Sequence, residues 1–344
     1  MIEIIEKLAY LLGKPKSSGK IKQQPSDFVV KENIGFNFTQ KGEHMLLHVQ
    51  KIGENTQYVV NELAKYCGVP SRKAGWAGLK DRYALTEQWI SIQLPEPEIP
   101  DFAEFERTHV GVRILDVQRH AKRLHPGDLQ GNAFSLILRD VSDMDDVVQR
   151  LERIKQQGVP NYFGEQRFGL EGNNLTYARR WGKGEIKVSD RAKRSFYLSA
   201  ARAYIFNQLL SYRIEHQMIQ QLESGDLLLD KKSLQEILVR DTNIPLMMRG
   251  IEKGFYCLTG PMAGDNPLHT QGKIAQLEQS FLDEEPDLMK ILRDSRMRQD
   301  RRPLILAVNN VQYQIQSLSQ IQISFTLNAG SFATSVVREL ITTE

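Results

Sequence analysis

The chain has 344 residues, of which 41% are hydrophobic, 25% charged and 8% aromatic. Those proportions exclude a disordered, collagen-like or rod-like chain, and the length suits two domains. Lys plus Arg number 45 against 42 acids, and a net charge of +3 selects no partner by itself.

Only two cysteines occur, Cys67 and Cys257, far apart in sequence. That usage fits free thiols in a reducing cytosol and not a disulfide scaffold. The N-terminus carries Glu3 and Glu6 and lacks the apolar stretch of a signal peptide. No run of about 18 apolar residues is present to span a bilayer. The expectation is a soluble, cytoplasmic protein with no membrane association and no obligate protein partner.

In chain order, Gly13-Lys-Pro-Lys-Ser-Ser-Gly-Lys20 comes first and invites a phosphate-loop reading. It fails, because the glycine spacing is one residue too long and Ile21 stands where Ser or Thr must hold magnesium. A flexible basic segment is expected there instead. Met45, Leu47 and Val49 alternate with Leu46, His48 and Gln50, the period of a strand. A helix is predicted from Thr56, burying Val60, Leu63 and Cys67 and stopping at Gly68 and Pro70. Ile90, Ile92 and Leu94 predict another strand, as do Phe134, Leu136 and Leu138. Ser142 or Asp143 should cap a helix that buries Val147, Leu151 and Ile154 and ends at Gly158. Two further strands are predicted over Val311–Ile315 and Ile321–Leu327.

The middle differs. Leu198, Ala201, Ile205, Leu209 and Tyr212 have helical spacing, and strand alternation is weak from about 160 to 300. Strand-rich ends around a helix-rich middle suggest an insertion, with the outer strands in one largely antiparallel sheet.

Metal binding is not indicated. His44 and His48 lie four apart but on strand pattern, without the glutamate of a zinc-protease helix or a cysteine pair. Cationic clusters are more informative. Arg179, Arg180, Lys183, Lys187, Arg191, Lys193, Arg194 and Arg202 face only Glu185 and Asp190, and Trp181, Phe196 and Tyr197 interleave them. A second cluster holds Arg119, His120, Lys122, Arg123 and His125. A third holds Arg293, Arg296, Arg298, Arg301 and Arg302. One such cluster is ordinarily a solvated helix face; three with few acids, the first interleaved with aromatics, suit RNA phosphates and unpaired bases.

The sharpest segment is Gly75-Trp-Ala-Gly-Leu-Lys-Asp-Arg-Tyr-Ala-Leu-Thr-Glu-Gln-Trp89. Lys80 and Arg82 flank Asp81, and neighbouring cations keep a carboxylate ionised, as a nucleophile must be. By composition alone, Lys-Asp-Arg is an ordinary surface turn. The segment, however, resembles the catalytic motif of the TruD family of tRNA pseudouridine synthases, Gly-x-Lys-Asp followed by Ala-x-Thr-x-Gln. Pro25-Ser-Asp-Phe-Val-Val30, Gly131-Asn-Ala-Phe134, Gly158-Val-Pro-Asn-Tyr-Phe-Gly-Glu-Gln-Arg-Phe-Gly169 and Gly330-Ser-Phe-Ala-Thr-Ser-Val-Val-Arg-Glu-Leu340 resemble that family too, in its order. Between about 215 and 300 the resemblance is loose, limited to Gly225-Asp-Leu-Leu-Leu and Thr259-Gly-Pro-Met-Ala-Gly264.

The resemblance implies an α+β fold: a pseudouridine-synthase core on a largely antiparallel mixed sheet, circularly permuted, with an inserted α/β second domain. It places the catalytic domain at 1–157 and 307–344 and the inserted domain at 158–306. The implied reaction isomerises a uridine of tRNA, uridine 13 in the family, to pseudouridine, and needs neither cofactor nor metal. Asp81 matches the nucleophile, attacking either the uracil ring or C1′, and Lys22 matches a basic partner for it, with Lys20 close enough to compete. Phe28, Asn132, Phe134 and Phe332 match substrate-binding positions, although without the family each aromatic would be read as core. The target base must be extruded from the RNA to reach Asp81. Arg119, Lys122, Arg123, Arg191, Lys193 and Arg194 are the expected contacts to the RNA backbone. A non-catalytic RNA-binding protein is the alternative, since it would show the same basic clusters without needing Asp81. A carboxylate-dependent glycosidase would require a second acid, for which the segment offers only Glu87.

Overall fold

The structure is a computed structural model that describes Ile5 and residues 7–94 and 99–343. Most of the N-terminal residues read for a targeting signal, 1–4 and 6, lie outside the described residues. The chain forms two compact units. One comprises Pro15–Lys155, Val308–Ala333 and the residues from Leu340; the other comprises the residues up to Lys14, Gln156–Ala307 and Thr334–Glu339.

The first unit is built on an eight-stranded sheet. Its path runs Asn309–Ser317, Gln320–Asn328, Gly131–Leu138, Phe28–Asn33, Leu85–Gln93, His44–Ile52, Val112–His120, and Ala74–Trp76 also pairs with Leu85–Gln93. Every pairing is antiparallel except that of Phe28–Asn33 with Leu85–Gln93, which is parallel. The sheet is therefore mixed and largely antiparallel. The alternation read from sequence fixes the faces: Ile321, Ile323, Phe325 and Leu327 are buried, and Phe325 stands opposite Phe134, with Leu327 opposite Asn132.

The helix Thr56–Tyr66 starts where Asn55 accepts the Gln57 amide at 2.8 Å and buries Val59, Val60, Leu63 and Ala64. These pack on Met45, Leu47, Val49, Ile90 and Ile92, one face of the sheet. The helix Met144–Gln157 buries Val147, Leu151 and Ile154, and the Asp143 carboxylate accepts the Asp146 amide at 3.0 Å.

The expected flexible basic segment is instead tied down. The amides of Lys16 and Ser17 donate to Asp146, at 3.0 and 3.3 Å, and Ser18 donates to the Ser142 hydroxyl at 2.8 Å. Ser18–Gly19 pairs in parallel with Thr342–Thr343, and Lys20 bridges Arg139. Backbone hydrogen bonds, invisible in the Lys/Ser/Gly composition, hold this stretch.

The second unit carries the long helix Arg191–Glu215, which buries Leu198, Ala201, Ile205 and Leu209 as its spacing predicts. It also contains a four-stranded antiparallel sheet, ordered Glu236–Leu238, Leu227–Asp230, Tyr256–Met262, Asp300–Pro303. Alternation hid it because Leu227 and Leu228 are both buried and Gly260 and Pro261 interrupt the central strand. The helices Asn173–Gly182 and Pro286–Asp294 approach closely at Gly182, where a Cβ would lie 2.1 Å from the Asp287 carbonyl oxygen.

The third cationic cluster is partly core. The Arg301 guanidinium makes a two-pronged bond to Glu278, at 2.8 and 2.9 Å, and adds bonds to the Thr259 hydroxyl and carbonyl. Both charged side chains are almost wholly buried. Arg302 is largely inside too, 4.0 Å over the Phe163 ring, and burial followed by the nearby Arg167 charge pushes its pKa down to about 10. Arg301→Met should leave Glu278 charged with no cation beside it, keeping only the Thr270 hydroxyl at 2.9 Å, and cost about 3–5 kcal/mol, read by urea unfolding. Arg301→Met with Glu278→Leu should recover most of that loss, because no unpaired charge remains inside.

Candidate active site

Asp81 sits in the loop between Ala74–Trp76 and Leu85–Gln93. Its carboxylate accepts the Lys22 ammonium at 2.6 Å, and both side chains are about three-quarters buried. Lys22 reaches it from a left-handed backbone position, φ +54. Such a conformation is uncommon for a residue with a Cβ and is found where surrounding structure fixes it. Lys20, the sequence competitor, pairs instead with Asp140 at 2.9 Å.

The Lys22 ammonium also lies 4.2 Å above the Phe28 ring, a cation–π distance. Phe28 meets Phe134 edge to face at 6.3 Å, and Phe134 stacks on Phe325 at 5.4 Å. Asn132 lies on the same sheet face as Phe134, two residues along, and pairs in register with Glu32. Its Oδ1 is buried without a hydrogen-bond partner among the described residues. That oxygen can accept a hydrogen bond. Thus Asp81, Lys22, Phe28 and Phe134 form a chain of contacts, and Asn132 shares its sheet face with the two rings. Both rings are buried, whereas Phe332 is half-buried, just after the turn at Gly330 and ahead of the helix Ala333–Leu340.

Charged residues that the motif reading passed over hold the loop. Lys80 forms an ion pair with Glu32, both nearly inaccessible, and the other Glu32 oxygen accepts the Trp89 amide at 3.1 Å. Thr56 accepts the Lys80 amide at 3.1 Å and donates to Gln88 at 2.9 Å, while Gln88 donates to the Gly78 carbonyl at 3.1 Å. The Lys51 ammonium donates to the carbonyls of Glu54 and Asp81, each at 2.8 Å. Arg82 and Gly53 bond reciprocally at the far side of the loop. The sequence signal was there: Glu32 and Lys51 occupy inward positions of alternating strands.

Glu87, the only second acid in the Asp81 segment, points to the opposite sheet face from Lys51, where Lys31 pairs with it at 3.1 Å. Burial lowers the pKa of His48, which stacks on Trp89 at 4.7 Å on that same face, and of His44. Among the described residues no group of three His, Cys, Asp or Glu side chains is placed to hold a metal ion.

The cations predicted to touch RNA divide by environment. Arg119 is buried and donates to the Leu94 carbonyl at 2.7 Å. Arg123 is half-buried and donates to the carbonyls of Arg72 and Ala74. Lys122 is exposed. In the other unit Arg191, Lys193 and Arg194 are exposed on the first turn of the long helix, capped by Asp190. Arg194 lies 5.3 Å over the Trp181 ring, and Phe196 beside it is 59% exposed. No described helix is long and apolar enough to cross a membrane.

Comparison with known proteins gives the family. The family model described as tRNA pseudouridine synthase D (TruD) matches residues 4–179 and 182–340. The chain is 49% identical to the tRNA pseudouridine synthase D of Aliivibrio fischeri over 341 residues, covering 99% of this chain and 96% of that one. It is likewise 49% identical to that of Vibrio campbellii, covering 100% and 98%. A crystal structure from Methanosarcina mazei described as a tRNA pseudouridine synthase D superposes with a TM-score of 0.76 over 98% of both chains at 22% identity, which is a likeness of fold. The chain belongs to the TruD family of tRNA pseudouridine synthases.

Proposed function

We propose that the chain converts uridine 13 of tRNA to pseudouridine with Asp81 as its nucleophile. Family membership makes the protein a tRNA pseudouridine synthase, an isomerase. The observation that carries the assignment to Asp81 is its 2.6 Å bond to Lys22, beside the Phe28 ring and on a loop fixed from several sides. An opposite charge at that distance favours the ionised carboxylate, the nucleophilic form. The reaction breaks the N-glycosidic bond, turns the base and rejoins it through C5, so no atom is gained or lost.

In this reading the uracil, extruded from the RNA, meets Phe28, Phe134 and Phe332 by its faces and edges, and the Asn132 amide by its polar edge. The buried orphan oxygen of Asn132 supports that contact. The exposure of Lys122, Arg191, Lys193 and Arg194 supports their contact with phosphates; Arg119 and Arg123 hold protein carbonyls and serve the fold first. The functional division follows the family, with 1–157 and 307–344 catalytic and 158–306 inserted. Packing divides the chain slightly differently, taking the residues up to Lys14 and Thr334–Glu339 into the unit of the middle segment. A tRNA substrate supports a cytoplasmic location. A purely RNA-binding protein would leave uridine unchanged, so pseudouridine formation in a tRNA transcript tests the reading.

Asp81→Asn replaces the carboxylate by an isosteric amide that cannot act as the nucleophile. Pseudouridine formation should vanish while melting temperature and tRNA affinity stay near wild type; turnover within about tenfold of wild type would remove Asp81 from its role. Replacing Arg191, Lys193 and Arg194 together by Ala should weaken tRNA binding and reduce the slope of log affinity against log salt by about 2–3, as three lost phosphate contacts require. Turnover at saturating tRNA should be unchanged, and an unaltered slope would mean these cations do not meet RNA. Phe332→Ala should lose about 1–3 kcal/mol in turnover if the ring stacks on uracil, with little thermal shift. A core ring would instead show a stability loss of roughly 3–5 kcal/mol and normal turnover per folded molecule.

A further inference from the structure

We infer that Lys51 is a positioning residue for Asp81, a buried cation that fixes the backbone of the catalytic loop from inside the sheet. The inference rests on the reading of Asp81 as nucleophile. On the strand His44–Ile52, the inward positions are Met45, Leu47, Val49 and then Lys51, the first three packed in the apolar core. Lys51 is 1% exposed, although an ammonium there must be compensated by acceptors. It has three, and they are all backbone carbonyls: Glu54 at 2.8 Å, Asp81 at 2.8 Å and Lys80 at 3.4 Å. Three donors thus match three acceptors, two of which belong to the catalytic loop.

Lys51 does not touch the Asp81 carboxylate that Lys22 holds; it holds the peptide from which that carboxylate projects. Fixing the peptide and the carboxylate separately leaves the side chain one direction. A displacement of about 1 Å at a reacting group can cost on the order of a hundredfold in rate, so loosening this peptide should appear in turnover and not in tRNA affinity.

The clamp is sensitive to pH. Burial is the largest influence on Lys51 and lowers its pKa from 10.5 to about 8, with Asp81 and Glu54 favouring the charge and Lys80 opposing it. Below about pH 8 the ammonium offers three protons. Above it, the amine offers two and turns a lone pair toward a carbonyl, so the clamp weakens as pH rises. Fold stability moves the other way through this group. The folded pKa lies below the unfolded value, so the cost of burying the charge is full below about pH 8 and is relieved as pH rises toward 10.5.

The test compares wild type, Lys51→Met and Asp81→Asn on a tRNA transcript from pH 6.5 to 9.5, with kcat, KM and melting temperature measured for each. Lys51→Met should lower kcat at neutral pH at least about tenfold, with KM within about twofold; the carbonyls it leaves unpaired lower the melting temperature but keep the fold intact at the assay temperature. The wild-type decline in kcat near pH 8 should be absent from the variant. Lys51→Met with kcat within about threefold of wild type, or with the same alkaline decline, overturns the inference. If Asp81→Asn is inactive in that case, the nucleophile reading survives alone; if Asp81→Asn turns over, both fail. Should Lys51→Met not fold, NMR titration of the Lys51 ammonium in wild type decides: a midpoint away from the alkaline decline in kcat overturns the role.

Discussion

The nucleophile proposed at Asp81, a carboxylate beside rings proposed to stack an uncharged base, sets two demands that oppose each other. The base wants an apolar, water-poor surface, and the carboxylate wants charge and solvation. Here the conflict is met by ion pairing and by carbonyl groups. Lys22 bridges the two demands directly, with its ammonium on Asp81 and over the Phe28 ring. Beneath it, the Lys80–Glu32 pair and the Lys51 ammonium bind the loop to the sheet interior. Each buried charge has a partner, so the loop is stiff in one conformation and removing any one partner is costly.

This arrangement depends on sheet order. Phe28–Asn33 lies between Gly131–Leu138 and Leu85–Gln93, so the motif around Phe28, the motif around Asn132 and the strand that follows Asp81 are adjacent although far apart in sequence. Registry then selects the face. Glu32 stands opposite Asn132, and Val30 opposite both Phe134 and Thr86. A shift of one residue would turn Phe28 and Glu32 to the other side, where Glu87, Trp89 and His48 form a separate aromatic and charged patch. The hydrophobic alternation that builds the sheet is therefore also what brings Phe28, Asn132 and Phe134, three of the residues proposed to meet the base, to one face.

That alternation explains what was legible in the sequence. The strands around Leu47, Leu136 and Ile323 and the helices from Thr56 and through Ile205 follow the periodicity of their buried residues. The four-stranded sheet of the other unit was not legible, because adjacent residues of a strand, such as Leu227 and Leu228, are both buried and give a run and not an alternation. At the site, the Lys22–Asp81 contact followed from family resemblance alone; 59 residues separate them and no local pattern connects them. Lys51 and Glu32 were legible in principle. A charged residue in the inward register of an apolar strand must find partners, and that demand is visible before the partners are.

The same demand sorts the cations. A row of arginines in sequence says nothing about which guanidiniums face water. Arg301 and Arg119 are in basic clusters, yet the first is locked to Glu278 and Thr259 and the second donates to a main-chain carbonyl. Guanidinium donors fixed in this way cannot release counterions from a phosphate, and they add nothing to the salt dependence of RNA binding. Arg191, Lys193 and Arg194 differ in a specific respect: they occupy the first turn of a helix, where a cation is unfavourable beside the helix's own positive end. Three cations crowded onto that turn reinforce the dipole instead of opposing it. The potential they create is of the sign that attracts phosphate, and with Trp181 and Phe196 alongside, it sits next to surfaces on which a base can stack.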